Sequence, residues 1–232
     1  MLIDLIRNMM DPTQSVSFAS LVIGVLSSLF VVFCTLPIHE FAHAYAAHKL
    51  GDNTAKYYGR LTVNPFAHID WFGAVLIILF GFGFAKPVPV DQRNFDRPKR
   101  DMAIVGIAGP LANIIVAFFS FLLSSLSALL LIRFELEFLY YVYLFFYFAG
   151  YINITLAAFN LIPVPPFDGS RILFAVLPNR IYYNIQQYER YIYYAVLVLV
   201  AFGAFTIPTQ IIADFLMNIC TFIIDKIFYL FI

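Results

Sequence analysis

Charge is scarce in this sequence. Only 12% of its 232 residues are Asp, Glu, Lys or Arg, against 62% hydrophobic, where a soluble globular domain carries about 25% charged residues. The 14 basic and 14 acidic side chains cancel to a formal net charge of zero. No polybasic or acidic tract is left to meet nucleic acid, so no nucleic-acid partner is expected. Two cysteines, Cys34 and Cys220, are too few for a disulfide framework or a cysteine metal cluster. Both lie in apolar segments and read as small buried hydrophobes. Residues 1–11 hold one base, Arg7, and two acids, Asp4 and Asp11. No small-residue cleavage site follows a short apolar core there, so no cleavable signal peptide is expected. Internal repeats and low-complexity tracts are missing as well.

What the chain has is long apolar runs, with a mean hydropathy of +0.85. Residues 16–38 carry no charge and match the roughly 20 residues a bilayer-crossing helix needs. That helix is expected to continue to about residue 50, where Gly51-Asp52-Asn53 stops it. Residues 57–64 (YYGRLTVN) are polar and β-prone and read as a strand or hairpin arm at the membrane surface. Residues 71–85 are apolar but short for a span, with glycines at 73, 81 and 83, so they read as a re-entrant element held by protein. Lys86-Pro87-Val88-Pro89-Val90 is then an extended segment. It is either an ordinary surface loop or a free edge able to pair with another extended chain.

Residues 102–132 form a second span that opens with small residues suited to close helix contact, Gly106 to Asn113. After a polar turn at 133–137, residues 138–161 form a third, carrying Asn153 and Asn160, which need partners in hydrocarbon. Prolines and Gly169 break it over 163–169. Residues 170–189 read as interfacial and 190–204 as the start of a fourth span. Residues 211–232 are a fifth span or lie flat on the surface, because of Asp214, Asp225 and Lys226. The fold class that follows is an all-α polytopic membrane protein with five to six transmembrane or re-entrant helical segments and a small membrane-associated β element. One domain covers 1–232, with a core at about 16–177 and C-terminal helices over 190–232. Lys49, Lys56, Arg60, Lys86, Arg93, Arg97, Lys99, Arg100, Arg171, Arg180 and Arg190 fall on one face if 71–85 does not cross, leaving Arg7 and Arg133 opposite. The basic face is expected to be cytoplasmic, which makes the chain multi-pass in the cell membrane with its site on that side.

The chemistry concentrates in His39-Glu40-Phe41-Ala42-His43. Residues four apart share a helix face, so both imidazoles can address one metal ion while Glu40 takes a proton from water. Catalytic zinc usually has three protein ligands. His48, nine residues beyond His39, reads as a solvated helix-end residue, and His68 is a loop histidine. Asp168, between Pro166 and Gly169 at a membrane helix end, is the stronger candidate for the third, because a carboxylate there is costly without a cation. A plain turn aspartate remains open at this point. A metal transporter would need a polar path along 102–132, where only Asn113 and serines are found. An inactive adaptor would have lost a ligand or the glutamate.

Four stretches, HEFAHA (39–44), FGFAKPVPV (82–90), AGPLAN (108–113) and FNLIPVPPFDGSR (159–171), resemble in order the site-2 protease family of intramembrane zinc metalloproteases. The likeness covers about residues 21–171 and is to compact prokaryotic members without a PDZ domain. It departs at Pro165-Pro166-Phe167, where many members carry Leu-Pro-Leu. The resemblance implies one Zn²⁺ per chain on His39, His43 and Asp168, with Glu40 as catalytic acid and base. It also implies Asn160 near the active centre, Asn113 in the substrate-binding region, and Lys86, Pro87, Val88 and Pro89 along the substrate path. The expected activity is endopeptidase cleavage in or near the membrane segments of a transmembrane protein or peptide. Self-association into a homodimer is allowed but not required.

Overall fold

The computed structural model describes residues 17–80 and 85–229. Residues 1–16, 81–84 and 230–232 lie outside the described residues. They include Arg7, the start of the 82–90 motif, the end of the expected 71–85 element and the last residues of the expected fifth span.

Helix α1, Phe18–Lys49, is 32 residues long, or about 48 Å at 1.5 Å per residue. Ser17 caps it by accepting from the Ser20 amide at 3.1 Å. Its middle, Val31–Thr35, widens into a π-helical turn immediately before the HExxH residues, a distortion often found at functional sites. Buried hydroxyls along it are satisfied within the helix ladder: Ser28 donates to Gly24 O and Thr35 to Val31 O. Ser27 also reaches across to Phe145 O at 2.9 Å. Two one-turn helices, α2 (Thr54–Tyr57) and α3 (Pro65–His68), follow. Helix α4, Trp71–Phe80, has 10 described residues, about 15 Å in length.

Helices α5 (Pro98–Phe134) and α6 (Phe138–Asn160) form an antiparallel hairpin. Glu135, left-handed at φ 55°, makes the turn. Together with α1 they are the three helices among the described residues long and apolar enough to cross a membrane. One core joins α1, α4 and α6 through Val31, Leu36, Ile77, Ile152 and Leu156. A second joins α5, α6 and the last helix, α9 (Thr206–Tyr229), through Ala117, Phe121, Ile154 and Cys220. In the chain between α6 and α9 come α7 (Gly169–Val176) and α8 (Asn179–Ala201). A side chain at Gly169 would run into the Leu161 and Ile162 carbonyls. The glycine therefore lets α7 begin tucked against the end of α6.

The all-α architecture agrees with the sequence. The expected strand over 57–64 does not form. Residue 57 ends α2, Gly59 takes φ 67°, and the Arg60 amide returns to Ala55 O at 2.8 Å. The segment closes on its own helix and has no neighbouring strand to pair with among the described residues. The expected boundary at 189/190 also differs. One continuous helix covers 179–201, begun after Pro178 and ended before Gly203 at φ 75°.

Candidate metal centre

The HExxH turn sits in the last part of α1 with His39, Glu40 and His43 all buried. Asp168 is held at the start of α7, with Arg171 N returning to its carbonyl at 3.0 Å. These elements, 125 residues apart, bring three donor atoms into a triangle. His39 Nε2 and His43 Nε2 are 3.0 Å apart. Asp168 Oδ2 is 3.3 Å from the first and 3.1 Å from the second. A tetrahedral ion about 2.0–2.1 Å from its ligands sets them about 3.3 Å apart, so the triangle fits such an ion to within a few tenths of an ångström. His43 Nδ1 lies 2.7 Å from the Val105 carbonyl oxygen. That oxygen can only accept, so Nδ1 carries the proton and Nε2 turns a lone pair inward. A proton on His39 would satisfy one contact of the triangle, whereas a divalent cation satisfies all three. No other group of three such ligands occurs among the described residues.

Helix α5 forms the back wall. A methyl at Gly109 would stand 2.6 Å from His39 Nε2 and closer still to His43 Nε2, so the bare backbone there is what leaves the space open. A cavity of about 260 Å³ opens in front of the triangle and is lined mainly by apolar side chains. Glu40 faces into it, with the Val88 backbone amide opposite its carboxylate. Asn113 also lines it, and its buried Nδ2 has no partner among the described residues. Asn160 lines it while its Nδ2 donates to Leu156 O at 3.0 Å. Pro87 and Val88 lie on the wall, whereas Lys86 and Pro89 do not. Tyr193, Val196 and Val200 of α8 close the far side.

The alternative ligands are engaged elsewhere. His48 Nδ1 meets Asn53 Oδ1 at 2.7 Å, and His68 Nε2 takes the Thr62 carbonyl at 2.8 Å. Three contributors were not identified in the sequence as site residues. Arg171 lines the cavity beside Glu40 and Asp168; its place one helical turn after Asp168 was a signal available to find it. Val105 and Gly109 act through backbone, which leaves almost no mark in a residue pattern.

Comparison with known proteins places this geometry. The family model described as "Peptidase family M50" matches residues 137–203, the stretch containing Asp168. The chain is 40% identical over 171 residues to "Putative zinc metalloprotease YwhC" of Bacillus subtilis (strain 168), covering 74% of this chain and 78% of that protein. It is 32% identical over 150 residues to the like-named MJ0611 of Methanocaldococcus jannaschii, covering 63% and 68% respectively. It is also 27% identical over 168 residues to Rip2 of Mycolicibacterium smegmatis, covering 68% and 59%. No solved structure gives a significant match. On this identity and coverage the chain belongs to peptidase family M50, the site-2 protease family of metallopeptidases whose motifs it carries.

Proposed function

We propose that this protein is a zinc-dependent intramembrane endopeptidase that cleaves peptide bonds in or near the membrane segments of transmembrane substrates, as in regulated intramembrane proteolysis. The observation that carries this reading is the buried triangle of His39, His43 and Asp168, with donor atoms 3.0–3.3 Å apart, beside Glu40 in one apolar cavity. The three side chains hold one Zn²⁺, which when bound acidifies water and polarises a carbonyl. Glu40 takes one proton from the attacking water as its oxygen bonds to the peptide carbon. It gives that proton to the amide nitrogen as the C–N bond breaks. The hydrogen bond to Val105 holds His43 in one tautomer throughout. Asn113, with its amide turned into the cavity, donates to the substrate backbone, and Asn160 supports the same wall.

A helical substrate hides its carbonyls in its own hydrogen bonds, so it unwinds before cleavage. Residues 86–90 are the extended element that receives the unwound stretch. Helices α1, α5 and α6 span the bilayer, joined by α8 and α9 in a multi-pass arrangement with α4 re-entrant. The basic residues around 49–60 and 86–100 set the site toward the cytoplasm. The test is Glu40→Gln in purified, zinc-loaded protein with single-span peptides. Cleavage is expected to stop while zinc stays at one per chain. Continued turnover by that variant refutes the role given to Glu40, and chelator-resistant turnover by the parent refutes the metal mechanism.

A further inference from the structure

We propose that Arg60 and Asp52 are positioning residues that clamp residues 86–91 as a rigid extended template for the substrate backbone beside Glu40. The inference rests on the endopeptidase reading and adds the groups that set substrate register. Neither residue touches the metal triangle. Both are buried, and both spend their polar atoms on the path of one short segment.

Arg60 is 8% exposed. Its Nη2 donates to the Lys86 carbonyl at 3.4 Å and to the Pro87 carbonyl at 3.2 Å. Nη1 is buried with no hydrogen-bond partner among the described residues, where no carboxylate lies within ion-pair distance of the guanidinium either. A guanidinium taken out of water and given only two carbonyls is poorly compensated. Its placement is therefore explained by what it holds rather than by stability. At the other end, Asp52 is fully buried. Its Oδ2 accepts from the Asp91 amide at 2.9 Å, and its Oδ1 accepts from Asn94 Nδ2 at 2.8 Å and from the Thr54 amide at 3.0 Å. Between these anchors Val88 is buried against Ala44 and Ala55, and its amide faces Glu40. The Lys86 amide is tied to His68 O at 2.8 Å. The segment is fixed at its start, middle and end. Pro87 and Pro89 bring no amide of their own, so the register of anything paired along it is set by few groups. A one-residue slip would present a different bond to Glu40.

The test uses full-length, zinc-loaded protein in detergent micelles with a single-span peptide it cleaves, and the same peptide N-methylated at the backbone amides flanking the cut. In the parent protein N-methylation should raise KM about tenfold, the worth of one or two lost hydrogen bonds. Arg60→Ala should raise KM by about the same factor with kcat within threefold. It should also spread cleavage over neighbouring bonds in the mass spectrum and lose its sensitivity to N-methylation, and Arg60→Lys should recover part of the single cut. Zinc should stay at one per chain in each variant. If Arg60→Ala does not fold, Asp52→Asn, close to isosteric, carries the same expectation. The inference is overturned if N-methylation leaves KM of the parent unchanged, or if the variants lose kcat alone with KM and cut position intact. A parent protein that leaves the unmethylated peptide uncut removes the endopeptidase reading itself, and this inference falls with it.

Discussion

Gly109→Ala adds one methyl where the donor atoms converge. In a free helix the change would stabilise by up to about 1 kcal/mol, because glycine is the poorer helix former. Here the new Cβ would lie 2.6 Å from His39 Nε2 and nearer to His43 Nε2. Ordinary contact between such atoms begins at about 3.5 Å, so His39 Nε2 must retreat by about 0.9 Å. Metal–ligand distances tolerate only about 0.2 Å, and α5 cannot yield because Val105, one turn earlier on it, accepts from His43 Nδ1. Loss of a supporting contact outside the ligand set already costs 10–100-fold in metal affinity; a methyl inside it should cost more than about 100-fold. The assay is zinc content of purified protein by mass spectrometry, with competitive chelator titration. Gly150→Ala is the matched control. Its methyl meets the Phe121 ring at 2.8 Å, far from the triangle, so it should lower stability by about 1–3 kcal/mol through overpacking and leave zinc at one per chain. If Gly109→Ala binds zinc as tightly as the parent, the donor triangle is not the metal site.

Asp168→Ala removes one corner of the triangle and should also weaken zinc by more than about 100-fold, whereas His68→Ala should leave the stoichiometry at one; zinc titration of both variants distinguishes Asp168 from His68 as third ligand. The pH response of the clamp has a definite sign. Burial pushes the Asp52 carboxyl up, but hydrogen bonds from the Thr54 and Asn94 side chains and the Thr54 and Asp91 amides outweigh it and hold the group below 3.8. A depressed carboxylate contributes stability that is full above its unfolded value and lost as pH falls through the folded one. Hydrogen exchange at the Thr54 and Asp91 amides should therefore stay protected at pH 5–7 and lose protection only as pH falls through the folded value, which lies below 3.8. Asp52→Asn keeps one acceptor oxygen and turns the other into an NH₂ donor, so it should expose one of the two amides at neutral pH; protection of both amides unchanged in that variant would refute the assignment.

The convergence of His39, His43 and Asp168 was legible in the sequence because side-chain chemistry has few alternatives there. Two histidines four apart with a glutamate between them, at the end of an uncharged run, leave little else to do. Asp168 was legible because a carboxylate at a membrane helix end needs a cation. What could not be read was backbone. The π-helical turn at Val31–Thr35 leaves no trace in hydrophobic periodicity, since the uncharged run around it is apolar on every side but for a few hydroxyls. Residues 57–64 carry β-prone types, yet they close onto α2, because propensity without a pairing partner does not make a strand. Arg60 was counted as one of several flanking charges. Its contacts to Lys86 and Pro87 depend on chain folding across 26 residues, which no local pattern encodes.

A single face of α5 ties these parts together. Val105, Gly109 and Asn113 follow one another at intervals of four, so they stack along one stripe of the helix. The first offers a carbonyl that orients His43. The second removes its side chain so that the imidazoles can close on a common point. The third turns a buried amide into the cavity where a substrate carbonyl would lie. Arg171, on α7, packs beside this stripe at Gly106, where a side chain would meet its Cβ at 2.9 Å. The proposed metal ligands thus come from α1 and α7, but the bare backbone of α5 leaves the space between them. In hydrocarbon, where helices gain little from burying apolar surface against one another, close approach depends on small residues and fixed polar contacts. The AGPLAN stretch supplies both, so the helix that contributes no ligand determines whether the site can exist.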